Sequence, residues 1–192
     1  MQYRSFLPPS RRLVLRALLG AGACAPIAAL AGFNFFTSEY TASREELQAQ
    51  IAKRFPVQQR YAEIFTVALR DPQLGLDARA NRAAITALLS IASPLLRPST
   101  VEGVVSVSSA LRYDAPARAL RLDQPKAERL ELQGVTGRDA ERLQQIGAVV
   151  AQELLRDQPL RTFTAEELTV GRKTYEIGDI TVQQDGIKVQ LK

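Results

Sequence analysis

Adjacent carboxylates at Glu45 and Glu46, a single cysteine at Cys24 and paired arginines at Arg11 and Arg12 are the residues of this 192-residue chain whose types invite chemistry. Two carboxylates can serve as general acid and base. A cysteine can act as nucleophile, metal ligand or lipid attachment point. What surrounds them limits these roles. The chain has no histidine, which removes the usual metal ligand, the commonest general base and the Ser-His-Asp triad. One cysteine cannot build a zinc cluster. No glycine-rich phosphate loop is present, because Gly20 and Gly22 lie near the N-terminus and Gly134 and Gly137 do not follow a P-loop pattern. A carboxylate-pair glycosidase also needs aromatic sugar platforms, yet there is no tryptophan and aromatic residues are sparse after Tyr61. Glu45 and Glu46 have a simpler use, since Ser43-Arg44-Glu45-Glu46 is a helix capping box and acids in a first turn suit the helix dipole. The sequence therefore predicts no catalytic residue, no metal site and no cofactor, and a protein that is not an enzyme.

The first 31 residues read as an address. A basic n-region ends at Arg16, an apolar run of small and aliphatic residues extends from Ala17 to Leu30, and Ala29-Leu30-Ala31 is a small-x-small cleavage pattern. Ser10-Arg11-Arg12-Leu13-Val14-Leu15-Arg16 matches a twin-arginine export motif, and an ordinary secretory n-region with paired arginines reads equally well. Cys24 follows Ala21-Gly22-Ala23, so it is a lipidation candidate in which alanine stands where a lipobox has its aliphatic residue. A retained leader is the third reading, because Ala17 to Ser38 is an uncharged stretch of 22 residues, although glycines and Pro26 make it a poor span. All three readings keep the arginines on the cytoplasmic side and export the remainder of the chain to the periplasm, and lipidation at Cys24 or a retained leader would also join it to a membrane through the N-terminus. The four arginines ahead of residue 32, with no acid among them, account for most of the formal charge of +5; the remainder carries +1. That balance argues against nucleic acid as a partner. The expected organisation is an export signal or anchor over 1–31, a linker or first strand over 32–42 and a single α+β domain over 43–192.

The elements that must carry any site centre on Thr100 to Leu132. Val101, Val105, Val107, Leu111 and Tyr113 alternate with polar residues, with Gly103 and Ser109 interrupting the apolar row. The turn-forming run Asp114 to Arg118 sends the chain back through Leu120, Leu122, Leu130 and Leu132. This spacing predicts a long antiparallel ribbon with one apolar face. Before it, the capping box and the stripe Leu47, Ile51, Phe55 predict a helix over 44–54, stopped by Pro56. Tyr61 to Leu69 predicts a strand with Glu63 out of pattern, and Asp71-Pro72 a bulge after which Leu74 and Leu76 resume on shifted parity. Residues 79–93 fit both periods, and the hairpin context favours strand. After the ribbon, Leu143, Ile146, Val150 and Leu154 predict a long amphipathic helix over 138–156. Thr164 to Glu167 reads as a second cap, and Asp185-Gly186 as the turn of a closing hairpin.

The order of these elements, with Phe55-Pro56, Leu69-Arg70-Asp71-Pro72, Asn81-Arg82, Leu111-Arg112-Tyr113-Asp114, Leu122-Asp123-Gln124-Pro125 and Gln158-Pro159, resembles the YceB-like family of bacterial envelope lipoproteins over about residues 37–191. That family has no assigned biochemical function and resembles half of a tubular lipid-binding (TULIP) module. The resemblance implies an α+β fold in which a strongly curved antiparallel β-sheet wraps a long C-terminal helix, with a short N-terminal helix. It also implies an apolar groove between ribbon and helix, for which Phe65, Val67, Leu69, Val105, Val107, Leu111, Leu143, Ile146, Val150 and Leu154 are the candidates. The simpler reading of Val105, Val107, Leu111, Leu143, Ile146 and Val150 is that each is packed core. A tethered, non-catalytic protein that binds a lipid or other apolar small molecule is the resulting expectation, and an envelope interaction or scaffold protein with a filled core is the alternative.

Overall fold

The computed structural model describes residues 32–34, 39–61, 63–156, 158–170 and 172–192. In chain order the elements are β1 (Gly32–Asn34), β2 (Glu39–Ser43), α1 (Arg44–Ala52), β3 (Val57–Tyr61), β4 (Phe65–Asp77), β5 (Arg82–Ala92), β6 (Thr100–Asp114) and β7 (Ala119–Leu132). They are followed by α2 (Gly137–Arg156), β8 (Pro159–Thr162), β9 (Thr169–Val170), β10 (Lys173–Thr174), β11 (Ile177–Val182) and β12 (Gly186–Leu191). Six strands form one antiparallel sheet in the order β3-β4-β5-β6-β7-β8, which curls into a half-barrel. A four-stranded sheet of order β1-β2-β12-β11 and a small β9-β10 pair complete the structure.

The curl has a local cause, repeated twice. At Asp71-Pro72 the β4–β5 register slips between Arg70 and Gln73, and at Gln124-Pro125 the β6–β7 register slips between Ser108 and Ala110. In both places the residue before proline is left-handed, with φ of 51° at Asp71 and 50° at Gln124, and the proline is buried. A bulge adds twist and bends its strand, so bulges on both flanks of the β5–β6 centre, with a further slip between Ser106 and Val107 on the β7 side, fold the sheet over itself. Each bulge frees ladder groups that something else must bond. At the first, Gln48 of α1 donates from Nε2 to Pro72 O (2.7 Å) and accepts at Oε1 from Leu74 N (2.7 Å). At the second, the buried Ser109 hydroxyl lies 2.6 Å from Asp123 O. Gly103 explains the other break in the apolar row, because a Cβ there would overlap the carbonyl of Glu131 on β7.

The concave face is apolar. Ile85, Leu89 and Ile91 of β5, Val101, Val105 and Val107 of β6 and Leu120 and Leu122 of β7 are fully buried. Helix α2 lies in this concavity against β7, with contacts to β6, β4 and β3. Helix α1 packs between β4, β8 and β2. The second sheet is tied on through Asn81 in the β4–β5 turn, which accepts from Val182 N (2.7 Å) and donates to Ile180 O (3.3 Å).

Three expectations need correction. The longer helix is not C-terminal, since five strands follow it. Tyr61 to Leu69 is not one strand: the chain turns between β3 and β4, with Glu63 at φ 59° and its carbonyl gripped by Arg60 Nε (3.0 Å) and Nη2 (2.6 Å). The closing hairpin turns one residue earlier than Asp185-Gly186. Val182 pairs with Ile187 and Gln183 N bonds Gly186 O (2.8 Å), so Gln184 and Asp185 form the tip. Gly186 serves packing instead, because a Cβ there would overlap Ala42 O on β2. Within residues 79–93, Arg82–Ala92 form strand β5, and 79–81 belong to the turn before it. β2 contributes Tyr40 and Ala42 to the core, so the segment ahead of residue 43 is part of the folded body from Glu39 onward.

Candidate functional site

The ten apolar groove candidates divide three ways. Val67, Leu69, Val105 and Val107 are at most 1% exposed and form the floor of the half-barrel, and Val150 and Leu154 close over it from α2. Leu111 is partly buried against the same core. Phe65 and Leu143 reach an open cleft. Ile146 is 53% exposed and faces solvent beside Val149, which removes it from any groove between helix and sheet. The reason is rotational. The buried face of α2 is Leu143, Gly147, Val150, Ala151, Leu154 and Leu155, centred on the small pair Gly147 and Ala151. At about 100° per residue, Ile146 lies roughly a quarter-turn off that centre. Bulk drew the predicted stripe toward Ile146, whereas the closest contact is made where bulk is missing.

The seam between helix and sheet is shut along its middle. A Cβ on Gly147 would lie 3.1 Å from Leu130 Cδ2, 3.3 Å from Ile91 Cδ1 and 3.4 Å from Leu89 Cδ2. At the N-terminal end of α2 the surfaces part. Here a half-open cleft of about 560 Å³ is bounded by the start of β4, the β5–β6 loop, the start of β6 and the segment leading into α2. Phe65, Leu96, Val101, Val135 and Leu143 supply its apolar walls. Arg97, Asp139 and Arg142 stand at its rim, all exposed, together with Leu95, which is 69% exposed. Sequence reading missed the loop residues. Pro94 and Pro98 mark it as a loop, but the apolar pair Leu95-Leu96 carries no periodicity.

The chain builds the lip by local bonding. The Ser93 hydroxyl, buried at the end of β5, accepts from Leu95 N (3.2 Å), and Ser93 N bonds Ser99 O across the loop (2.8 Å). Arg97 Nη1 donates to Pro94 O (3.2 Å) and Leu96 O (3.0 Å). These bonds hold Leu96 inward and the Arg97 guanidinium outward.

A second polar cluster lies on the α1 side of the fold. Arg161 of β8, only 9% exposed at its side chain, bonds Tyr40 Oη (2.8 Å) and Glu167 Oε1 (2.6 Å), and its Nη2 lies 3.0 Å from Glu46 Oε1. Burial works against the Arg161 charge, but Tyr40, Glu46 and Glu167 outweigh it and hold its pKa above the ordinary value. Burial likewise raises Tyr40. Phe163 meets Tyr40 edge-to-face at 5.4 Å, and the guanidinium sits 5.5 Å from the Phe163 centroid. The polar contacts of Arg161 all run through Nη2 to other elements, making a clasp that joins β2, α1, β8 and the turn after β8. Arg161 Nε and Glu46 Oε2 are buried without a hydrogen-bond partner among the described residues. Glu46 thus keeps half of the expected capping box: its amide donates to Ser43 Oγ (3.2 Å), while its carboxylate goes to the clasp. The second cap is complete, with Glu167 N to Thr164 Oγ1 (3.2 Å) and Thr164 N to Glu167 Oε2 (2.8 Å), though it closes a turn and not a helix.

The lipidation candidate Cys24 and the export pair Arg11 and Arg12 lie outside the described residues. Among the described residues no helix is long and apolar enough to cross a membrane. No protein-family model matches this chain, and no curated protein matches it at a significant level.

Proposed function

We propose that this is an exported, membrane-tethered, non-catalytic protein of the YceB-like kind that binds a lipid or other apolar ligand between its curved sheet and α2. In this reading the sheet wraps α2 as half of a tubular lipid-binding module. The leader or a lipid on Cys24 tethers the domain on the periplasmic side. The supporting observation is the cleft at the open end of the half-barrel, whose volume of about 560 Å³ falls within the roughly 300–1,000 Å³ of small-molecule sites. Its walls are contributed by β4, β6 and α2, so a ligand there would lie at the junction of helix and sheet. The ligand enters at the mouth and not along the helix, because Gly147 brings the two surfaces into contact beyond Leu143.

That same contact favours a second reading, an envelope interaction or scaffold protein whose core is filled. Mass spectrometry of organic extracts from the purified full-length protein separates the two. Lipid recovered at about one per chain, and lost in Leu143→Asp, supports binding. Absence of lipid, with thermal unfolding unchanged by added fatty acid, leaves the scaffold reading.

A further inference from the structure

We infer that the cleft selects a long-chain monoanion, its acyl chain on the Phe65–Leu143 floor and its charged head at Arg97 and Arg142. The inference rests on the ligand-binding reading above and adds the nature of the head-group. The rim carries Arg97, Asp139 and Arg142, which together amount to one positive charge, while the walls contribute none. A neutral apolar ligand gains nothing from that rim, whereas a monoanion balances it.

The two arginines are differently prepared. Arg97 comes from the β5–β6 loop, and its Nη1 is committed to the carbonyls of Pro94 and Leu96. Its Nε and Nη2 have no partner among the described residues and can present the two-donor edge that matches a carboxylate or phosphodiester. Arg142 comes from α2 and makes no ion pair among the described residues, even though Asp139 stands three residues before it. The same spacing at the other end of the helix does pair, with Arg156 Nη2 3.1 Å from Glu153 Oε1. Arg142 is therefore held at the rim with its charge unspent. The N-terminal end of α2 adds partial positive charge to the same mouth.

The test uses the full-length protein stripped of lipid, with the fluorescent fatty acid cis-parinaric acid and its methyl ester as probes. The acid should bind at least tenfold more tightly than the ester at low ionic strength, and the ratio should fall as salt screens the rim. The Arg97→Gln/Arg142→Gln double variant should bring the two probes to parity by weakening the acid alone, while Arg129→Gln, a surface charge on β7, leaves the ratio unchanged. Displacement of the probe by palmitate indicates a free acid as the natural head, and displacement by lysophosphatidylglycerol alone indicates a lipid head-group; either supports an anion. Equal binding of acid and ester by the wild type, or equal weakening of both in the double variant, overturns the head-group inference and leaves the apolar site standing. Failure of both probes to bind overturns the ligand-binding reading itself.

Discussion

Gly147 of α2 faces Leu130 of β7 so closely that a Cβ on the glycine would lie 3.1 Å from Leu130 Cδ2. Two effects then compete at this position. Alanine in place of a mid-helix glycine is worth about 1 kcal/mol in helix propensity. Against it stands a tight methyl whose neighbours, the tips of Leu130, Ile91 and Leu89, can each yield a few tenths of an ångström. Gly147→Ala should therefore leave stability within about 1 kcal/mol of wild type. Gly147→Val adds two methyls with nowhere to go and should cost about 2–3 kcal/mol, the usual penalty of overpacking. Urea unfolding midpoints at constant m-value measure both. A valine variant as stable as wild type would mean that helix and sheet are not in contact there.

Gln48 bonds both sides of the Asp71-Pro72 bulge, donating to Pro72 O and accepting from Leu74 N. Replacing it by leucine keeps the volume and strands the carbonyl of Pro72 and the amide of Leu74 in a partly buried site. Unmet backbone groups of this kind cost about 1–3 kcal/mol, so Gln48→Leu should lose roughly 2 kcal/mol. Native-state hydrogen exchange gives the sharper readout: the Leu74 amide should lose its protection while amides in β5 keep theirs. Unchanged protection at Leu74 would show that the bulge does not depend on α1.

These two sites also show what the sequence makes legible. The Asp71-Pro72 bulge could be read because proline has no amide and the apolar parity shifts after it. The Gln124-Pro125 bulge has the same local form, visible in Leu69-Arg70-Asp71-Pro72 beside Leu122-Asp123-Gln124-Pro125, but its consequence is tertiary. Irregularities on both flanks of the sheet are needed to curl it around a helix. Gly103 and Ser109 looked like gaps in an apolar row, and they are the places where β7 comes close or bulges. Asp185-Gly186 pointed correctly to a hairpin, yet the glycine is required by its neighbour Ala42 on β2, a contact between residues far apart in the chain. Ile146 misled for a related reason: periodicity weights large side chains, and the helix is seated on its small ones. The cleft could not be read at all. Its lip is an aperiodic loop, and its opening depends on where α2 begins relative to β4 and β6, which no local pattern encodes.

Arg161 anchors the clasp between β2, α1, β8 and the turn after β8. Its loss leaves Glu46 and Glu167 facing each other without a cation. Breaking a buried pair costs about 3–5 kcal/mol, and the partial exposure of the two carboxylates (23% and 34%) lowers the expectation for Arg161→Met to about 2–3 kcal/mol. Most of that cost is stranded charge and not lost attraction. Adding Glu46→Gln and Glu167→Gln to Arg161→Met should therefore restore more than half of it, because the side-chain amide introduced at position 167 can still accept from Thr164 N. Urea unfolding at pH 7 distinguishes the cases. A triple variant no more stable than Arg161→Met would rule out charge stranding.

Asp114 closes the β6–β7 turn, accepting from Ala117 N (3.3 Å) at Oδ1 and from Arg121 Nε (2.8 Å) at Oδ2. The Ala117 amide, then the Arg121 guanidinium, with a further contribution from Arg112, hold its carboxyl below the usual value of 3.8, outweighing partial burial. A carboxyl whose folded pKa is depressed binds its proton more readily in the unfolded chain. Its contribution is therefore complete above the unfolded pKa, and it is lost as pH falls below 3.8 toward and through the folded value. Asp114→Asn should be less stable than wild type at neutral pH by an amount that does not change down to about pH 5. Below that the two melting curves should converge. Glu166 is depressed as well, by its own backbone amide and the Thr164 hydroxyl, so the wild type keeps an acid-sensitive component that Asp114→Asn does not remove. Thermal melts between pH 7 and pH 2.5, taken as the wild-type minus Asp114→Asn difference, isolate the Asp114 share. A difference that grows on acidification would have the wrong sign and would show that the turn does not depend on the ionised carboxylate.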